Sequence, residues 1–236
     1  MGNATRNIFK IKNNREYNVL IPAAGLGTRM RSYSAKPIIK IAQKTLIQHQ
    51  LDIINGQWGK NTTTIVVGYD ANKVMNAIPN TTIKVENESY ATSNVVRSIG
   101  LGLRAHTRDS VIIIYGDLFI NASSLRFECG NESFLVVENQ NMDINEIGCT
   151  ISDTNKIEYM RYDTPMKWAQ VAYLTGRELE LMKNIAWNPN NKNLYGYEAI
   201  NIILDKGGQF KSVNIPGAFF RDIDCAKDIT YIEENL

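Results

Sequence analysis

The sequence has few of the side chains from which disulfide frameworks and zinc sites are built. It contains 3 cysteines and 2 histidines among 236 residues. Cys129, Cys149 and Cys225 stand far apart, are odd in number and form no C-x-x-C pair. This spacing argues against a zinc knuckle or a disulfide-stapled secreted domain. We therefore expect reduced thiols in a cytoplasmic protein.

Neither sign of charge is in excess, and long apolar runs are missing. The chain has 26 basic and 24 acidic residues, for a formal net charge of +2. Such a balance gives no support for a protein that binds nucleic acid or a membrane surface. No apolar run approaches the length of a membrane span, and the N-terminus lacks the apolar core of a signal peptide. We predict a polar extension at residues 1–16 and a single domain at residues 17–236.

The first half of the chain does contain a regular alternation of apolar runs and helical patterns. Segments such as YNVLIP and SVIIIYGD predict strands that are buried on both faces. The periodic segments between such strands, for example TLIQHQLDIIN, predict amphipathic helices. This alternation is typical of parallel strands joined by crossover helices. We therefore predict an α/β fold around a mixed, mostly parallel central sheet.

The second half has a different pattern, because three predicted strands follow one another after Asp117 without a helix between them. These strands either extend the sheet or form a small lobe over one end. Helices are then predicted from Thr175, from about Tyr195 and at the C-terminus. Thr175 and Glu178 stand at the spacing of a capping box, which would fix the start of the first of these helices.

Glycines and cations follow the first predicted strand. The loop residues are Ala23, Ala24, Gly25, Leu26, Gly27 and Thr28. The two glycines can adopt positive φ and let backbone N–H groups surround an oxyanion. Arg29 can donate two hydrogen bonds to a phosphate, and Lys36 adds a compact point charge. The pattern predicts a polyphosphate site, and the alternative is a plain strand-to-helix turn with solvent-exposed cations.

Two other phosphate-binding loops fit poorly. The Walker pattern needs Gly-Lys-Ser/Thr directly after the loop, whereas this chain has Gly-Thr-Arg. The dinucleotide-binding fingerprint needs a third glycine at the position of Met30.

The stretch AAGLGTRM…AKPIIKI resembles the signature of the nucleotidyltransferases that make nucleoside-diphosphate sugars and alcohols, a G-x-G-T/S-R loop followed by Lys-Pro. VIIIYGD and FFRDIDCAKDI are similar to two further segments of that family, each of which supplies a metal-binding aspartate. The resemblance runs from about Tyr17 to the C-terminus. It implies a Rossmann-like three-layer α/β/α nucleotidyltransferase fold with a small β lobe on the acceptor side. It also implies metal ligands at Asp117 and Asp224.

The reaction that the resemblance implies joins a phosphate oxygen of an acceptor to the α-phosphorus of a nucleoside triphosphate, and pyrophosphate leaves. Asp117 and Asp224 would hold Mg²⁺, which lets two anions approach each other. Lys36 and Arg29 would stabilise charge on the triphosphate and on the leaving pyrophosphate. From the residues alone, Asp117 could instead cap a turn, and Asp224 could be the N-cap of the last helix.

The segment NESYATSNVVRSIGLGLRA resembles the N…Y…SNN…SL segment of the phosphocholine and aminoethylphosphonate cytidylyltransferases. The matching residues are Asn87, Tyr90, Ser93, Asn94 and Ser98. Val95 replaces the second asparagine of that pattern, and the Gln-x-x-Pro-x-Gly-Leu segment of the sugar-activating members is missing. The resemblance therefore implies CTP as the donor. These residues could equally belong to a capped amphipathic helix and no more.

The downstream half is also similar to the acceptor side of this family. Aromatic residues that could form a wall for a quaternary ammonium group are Trp168, Tyr173, Tyr195, Tyr197, Phe219 and Phe220. Glu198 could pair with an amine, and Asp222 stands where the family usually has glutamate, beside the metal ligand. The alternative for most of these aromatic residues is a place in the core.

We predict a Mg²⁺-dependent cytidylyltransferase that transfers CMP from CTP, or from another NTP, to a small phosphorylated or phosphonate acceptor. Its product would be a building block for a surface glycan or lipid. Nucleic acid and membrane are not expected as partners, and a homodimer is one candidate for the oligomeric state. The sequence leaves open a sugar-1-phosphate nucleotidyltransferase that uses UTP, dTTP or GTP, and a catalytically inactive nucleotide-binding regulatory module. A glycosyltransferase would usually show a D-x-D motif, and GDLF lacks its second aspartate.

Overall fold

The computed structural model describes residues 16–27, 34–105, 108–139 and 146–236. The predicted extension at residues 1–16 lies outside these ranges except for Glu16, and so do Thr28 and Arg29. In chain order the strands are β1 (Tyr17–Ala23), β2 (Lys40–Ile41), β3 (Lys44–Thr45), β4 (Asn61–Val67), β5 (Ile83–Glu86), β6 (Ser110–Ile114), β7 (Leu118–Ile120), β8 (Phe134–Glu138), β9 (Ile147–Ile151), β10 (Ile157–Tyr162), β11 (Met166–Thr175), β12 (Lys211–Val213) and β13 (Phe220–Asp222). The α-helices are α1 (Leu46–Gln57), α2 (Ala71–Ala77), α3 (Val95–Arg104), α4 (Gly176–Trp187), α5 (Gly196–Asp205) and α6 (Ala226–Glu234).

Nine of the described strands form one mixed sheet. Its order is β10-β9-β11-β6-β1-β4-β5, with β8 paired to β11 and β12 paired to β8. Strands β6, β1, β4 and β5 run parallel to one another. These are the strands of the first half, where apolar runs alternate with helices, so the α/β prediction is confirmed.

Helices cover both faces of the sheet, which explains why its central strands are apolar on both sides. In β1, Val19 and Ile21 belong to one core cluster together with Leu51 of α1 and Val74 of α2. Leu20 lies between them in sequence and belongs to a second cluster with residues of α3, α4 and α5. The side chains of Val19, Leu20 and Ile21 are fully buried, and each stabilises the fold by about 1.5–3 kcal/mol. The predicted three-layer α/β/α arrangement is therefore present.

The second half adds strands to the same sheet. β11 is antiparallel to β6, β8 and β9, and β10 pairs with β9 at the sheet edge. Of the two alternatives for these strands, an extension of the sheet or a small lobe, the structure has the extension. The physical reason is their apolar content: Cys149 of β9 and Met160 of β10 are fully buried in the same cluster as Leu20.

Two helix starts show how local and distant partners compete. Helix α1 has a capping box, in which Thr45 Oγ1 accepts from Gln48 N. Helix α4 begins after Thr175, as predicted, but without the predicted capping box. Thr175 Oγ1 donates to Asp109 O, and the Glu178 carboxylate accepts from Ser133 Oγ and Gln209 N. The side chains of Thr175 and Glu178 therefore bond to other segments and do not form a capping box.

Parallel strands bring their carboxyl ends to one edge of the sheet, where ligands bind in α/β folds. The glycine loop leaves β1 at this edge, Asn87 follows β5, and Asp117 closely follows β6. The two-stranded ladder of β7 and β13 lies beside it: Asp222 pairs with Leu118, and Ile223 N donates to Asp117 O at 3.0 Å. The ladder thus brings Asp222 and Asp224 to the carboxyl edge of the parallel strands.

Candidate active site

A cavity of about 1080 Å³ opens at the carboxyl edge of the sheet. The glycine loop, the start of α3 and Asp117 form one part of its wall. Strand β11, the start of α5 and the segment from β13 to α6 form the other part. The cavity is at the upper end of the range of small-molecule sites, which suits a nucleotide together with a second substrate.

The described part of the glycine loop lines this cavity. The lining residues are Ala23, Ala24, Gly25, Leu26 and Gly27. Gly27 has φ of 53°, and a Cβ at this position would lie 3.2 Å from Lys36 Cγ. Glycine therefore serves both the left-handed turn and its close approach to the lysine stem. Thr28 and Arg29 are outside the described residues, and their predicted roles stay predictions.

Lys36 lies between the two predicted metal ligands. Its Nζ is 3.0 Å from Asp117 Oδ2 and 2.7 Å from Asp224 Oδ1. Burial disfavours the charged amine, but Asp117 and Asp224 outweigh this effect and hold the pKa of Lys36 above its ordinary value. The structure thus brings together three residues that the sequence singled out in three distant segments.

The alternative roles of the two aspartates do not match the structure. Helix α6 begins after Cys225, which is its N-cap, so Asp224 does not cap this helix. The side chain of Asp117 is directed to Lys36, while its backbone carbonyl accepts from Ile223 N.

Asp228 fixes the backbone that carries Asp224. Its Oδ2 accepts from Asp224 N at 2.9 Å and from Cys225 N at 2.8 Å, and its Oδ1 accepts from Arg221. Burial alone would raise the pKa of Asp228, but the hydrogen bonds from Arg221 and the two N–H groups lower it. The carboxylate therefore stays ionised and holds the turn before α6.

The donor set fits a magnesium ion. Within the described ranges, no group of three or more His, Cys, Asp or Glu side chains is arranged to hold a metal. Asp117 and Asp224 nevertheless reach one point, where the Lys36 ammonium stands in for a cation. Two carboxylates with the remaining positions left to phosphate oxygens and water are a common magnesium environment in phosphoryl-transfer sites.

A third carboxylate, Asp222, lies behind this pair. Burial and the charge of Asp117 raise the pKa of Asp222 to about 7, against the opposing effect of Lys167. Gln170 Nε2 donates to Asp222 Oδ2 at 2.5 Å. Asp222 Oδ1 is buried and has no hydrogen-bond partner among the described residues. This oxygen is available to a ligand or to a water molecule.

The residues matched to the cytidylyltransferases also line the cavity. They are Asn87, Tyr90, Ser93, Asn94 and Ser98. The Asn87 amide is occupied within the protein, because Nδ2 donates to Ser93 Oγ and Ser98 Oγ while Oδ1 accepts from Ser89 N. Asn94 is the N-cap of α3, and its Oδ1 accepts from Val95 N at 2.8 Å. Asn87 and Asn94 therefore shape this wall and direct the start of α3 towards the cavity.

Aromatic rings gather at the β11 and α5 end. Trp168, Tyr195 and Tyr197 line the cavity, together with Tyr162. The ring centroid of Tyr197 lies 6.0 Å from those of both Tyr195 and Tyr162. Tyr195 is 55% exposed and Tyr162 is 50% exposed, so part of each side chain is accessible.

Four residues that the sequence suggested for the acceptor side lie elsewhere. Tyr173 is buried in the core beside Phe134, and its hydroxyl donates to Gly130 O at 2.9 Å. Glu198 does not line the cavity, and its Oε2 accepts from Tyr195 N at 2.7 Å at the start of α5. Phe219 and Phe220 pack away from the cavity wall, Phe219 against Phe119 and Phe220 in the core. These assignments are corrected, because strand and helix geometry turn the side chains away from the cavity.

Sequence reasoning missed three cavity residues of β11 and its neighbours. Gln170 contacts Asp222, and Lys167 forms a 2.5 Å ion pair with Glu146. The side chain of Lys167 is only 8% exposed, although it lines the cavity. Each pair joins two distant segments of the chain, so no spacing within one segment could have indicated it.

A glycine loop at the end of the first strand, followed by a lysine that two aspartates share, is the arrangement that the sequence resemblance predicts for a nucleotidyltransferase site. Residues 19–131 match the family model described as the MobA-like NTP transferase domain. This part of the chain is therefore similar to NTP transferases. None of the helices in the described part of the chain is long and apolar enough to cross a membrane.

Solved structures with the same fold include several nucleotidyltransferases. The CTP:phosphocholine cytidylyltransferase of Streptococcus pneumoniae superimposes with a TM-score of 0.78 at 21% identity, over 94% of this chain and 99% of that one. The inositol-1-phosphate CTP transferase of T. maritima gives 0.75 at 20% identity, over 93% and 94%. A UDP-glucose pyrophosphorylase bound to UDP-glucose gives 0.69 at 14% identity, over 94% and 98%. Similarity at these identities establishes the fold. The substrates have to be inferred from the residues of this chain.

Proposed function

We propose that the protein is a Mg²⁺-dependent cytidylyltransferase. It transfers CMP from CTP to a small phosphorylated or phosphonate acceptor with a cationic head group, such as phosphocholine or aminoethylphosphonate. The observation that carries the transfer chemistry is the position of Lys36 between Asp117 and Asp224, next to the glycine loop. The three free cysteines, two of them buried, agree with a cytoplasmic location.

The reaction needs positioning and charge neutralisation rather than a covalent protein intermediate. An acceptor phosphate oxygen forms a bond to the α-phosphorus of CTP, and the bond from that phosphorus to the bridging oxygen of pyrophosphate breaks. The amides of Gly25 and Gly27 would hold the triphosphate, and Lys36 would move from the aspartates to its developing charge. Asp117 and Asp224 would hold Mg²⁺, which supplies positive charge to both anionic reactants when it is bound.

The case for CTP rests on the wall formed by the start of α3. This wall contains the residues that match the cytidylyltransferase segment, Asn87, Tyr90, Ser93 and Asn94, and all of them line the cavity. The first two structural neighbours reported above are also CTP-dependent enzymes. With the Asn87 amide occupied, we expect backbone groups of residues 87–95 and the Tyr90 ring to contact the base.

The case for a cationic acceptor rests on the charge and aromatic content of the end formed by β11 and the start of α5. Tyr162, Trp168, Tyr195 and Tyr197 line this end. Aromatic faces attract a quaternary ammonium by roughly 0.5–2 kcal/mol per contact. Two carboxylates also line this end, Asp222 and Glu146, against one lysine, Lys167. Glu146 is already paired with Lys167, so Asp222 is the carboxylate that a cationic head group would meet.

A matrix of substrates tests the proposal. Pyrophosphate release is measured with CTP, UTP, GTP and dTTP against phosphocholine, aminoethylphosphonate and several hexose 1-phosphates. We expect release with CTP and a cationic acceptor. Preference for UTP or dTTP with a hexose phosphate would identify a sugar-1-phosphate nucleotidyltransferase. Nucleotide binding without release in any pair would identify an inactive regulatory module.

A further inference from the structure

Gln170 has an unusual backbone conformation for a residue within a strand. Its φ is 55°, in the left-handed region that non-glycine residues rarely adopt. The strand that contains it, β11, pairs with β8 through Trp168 opposite Val137 and then through Ala172 opposite Leu135. The register shifts between these two pairs, so Gln170 lies in a β-bulge.

Side chains of β11 next to the bulge line the cavity. In a regular strand, neighbouring side chains point to opposite faces of the sheet. Here Lys167, Trp168 and Gln170 all line the cavity. Strained backbone of this kind persists where the surrounding structure imposes it, and it is concentrated at functional sites.

The side chain of Gln170 contacts a residue of another element. Its Nε2 donates to Asp222 Oδ2 at 2.5 Å. Its backbone carbonyl accepts from Tyr115 N at 3.4 Å, next to the segment that carries Asp117. Gln170 thus connects β11 with the two segments that supply the aspartates.

The two oxygens of the Asp222 carboxylate have different surroundings. The Gln170 amide holds one oxygen and leaves the other, Oδ1, buried without a partner among the described residues.

We propose that Gln170 is a positioning residue that fixes Asp222 for recognition of the acceptor. The bulge places its amide, and the amide sets the direction of the Asp222 carboxylate at the acceptor end of the cavity. This inference rests on the proposed function, since it assigns Asp222 to the acceptor rather than to the nucleotide. A shorter side chain would keep the backbone conformation and lose the contact.

Gln170→Asn is the informative variant, because asparagine tolerates positive φ but is too short to reach Asp222. We expect the acceptor KM to rise about tenfold, while the CTP KM stays within about twofold. Gln43 offers a matched control: it also has positive φ, 76°, but it is exposed and outside the cavity lining. Gln43→Asn should leave both KM values unchanged. An equal rise of both KM values in Gln170→Asn, or no rise at all, would overturn the proposal.

A double-mutant cycle separates positioning from general damage. In an Asp222→Ala background, Gln170→Asn should raise the acceptor KM by less than about twofold, because the residue it orients is gone. If Gln170→Asn raises the acceptor KM by the same factor with and without Asp222, the proposal is wrong.

Thermal unfolding of the wild type, the two single variants and the double variant shows whether the contact exists. We expect Tm shifts that are not additive, and additive shifts would refute the contact. If the wild-type protein turns over no acceptor, the proposed function fails, and this unfolding cycle still decides the Gln170–Asp222 contact.

Discussion

Lys36 Nζ lies 2.7 Å from Asp224 Oδ1, and its other contact at 3.0 Å is the second aspartate of the site, Asp117. The ammonium therefore occupies the position between the carboxylates that the proposed divalent cation would take. Lysine and metal would compete for this position until phosphate oxygens offer the lysine another partner.

Lys36→Met should bind Mn²⁺ more tightly than the wild-type protein when no nucleotide is present, by about tenfold or more, because the competing charge is removed. Its kcat should fall by about 10²–10³, because charge stabilisation at the triphosphate is lost. Calorimetry or Mn²⁺ electron paramagnetic resonance measures the first effect. Lys44→Met is the control, since Lys44 pairs with Asp52 and does not line the cavity. Weaker Mn²⁺ binding in Lys36→Met would show that the lysine does not compete with the ion.

Glu138 allows a prediction of how the stability of the protein depends on pH. Burial raises the pKa of Glu138 to about 7 from an ordinary value of 4.5, although Lys167 opposes the shift. The folded state therefore keeps a proton that the unfolded state loses, and stability falls as pH rises from about 4.5 to about 7. Glu138→Gln should match the wild type near pH 5 and have a free energy of unfolding higher by up to about 3 kcal/mol near pH 8. Urea unfolding at the two pH values measures the difference, and a gain that is equal at both would contradict the assignment.

Gly196 gives a packing prediction at the acceptor end. A Cβ at this position would lie 1.9 Å from Tyr115 Oη, so Gly196→Ala must displace the tyrosine or the start of α5. We expect a loss of about 1–3 kcal/mol in stability and a higher acceptor KM. Tyr115→Phe removes that oxygen and should restore part of both losses in the double variant. Equal losses with and without the Tyr115 hydroxyl would place the strain elsewhere.

Tyr197 tests the cationic head group. Tyr197→Leu should raise the KM for a quaternary ammonium acceptor about fivefold to thirtyfold, with little change for CTP, because one aromatic face is lost. Tyr173→Phe is its control, since the Tyr173 hydroxyl binds Gly130 O in the core. Steady-state kinetics with both substrates gives the comparison. A similar change in the two variants would argue against an aromatic acceptor site.

The sequence predicted the parts of the fold that local patterns determine. Apolar runs such as Val19–Ile21 marked strands that are buried on both faces, and the residues between them marked the helices. The lysine and the two aspartates were found through resemblance to a family, and the structure brings them together. The boundary between the extension at residues 1–16 and the domain at residues 17–236 stays a prediction.

The remaining features depend on contacts that no short segment contains. Tyr173 was predicted at the acceptor, but the bulge at Gln170 shifts the register of β11, and Tyr173 lies in the core. The hydroxyl of Thr175 binds a carbonyl from a neighbouring segment instead of closing a capping box. Lys167 of β11 forms an ion pair with Glu146, which directly precedes β9. Only the assembled sheet brings these two residues together.

The most direct test of the account is the effect of Asp117→Asn on cytidylyl transfer. This change removes one of the two carboxylates that share Lys36 and keeps the size of the side chain. We expect Asp117→Asn to release pyrophosphate from CTP and phosphocholine about 10³-fold or more slowly at saturating Mg²⁺, with a Tm close to that of the wild type. A folded Asp117→Asn protein that releases pyrophosphate at a near-normal rate would contradict the proposed role of Asp117 and Asp224.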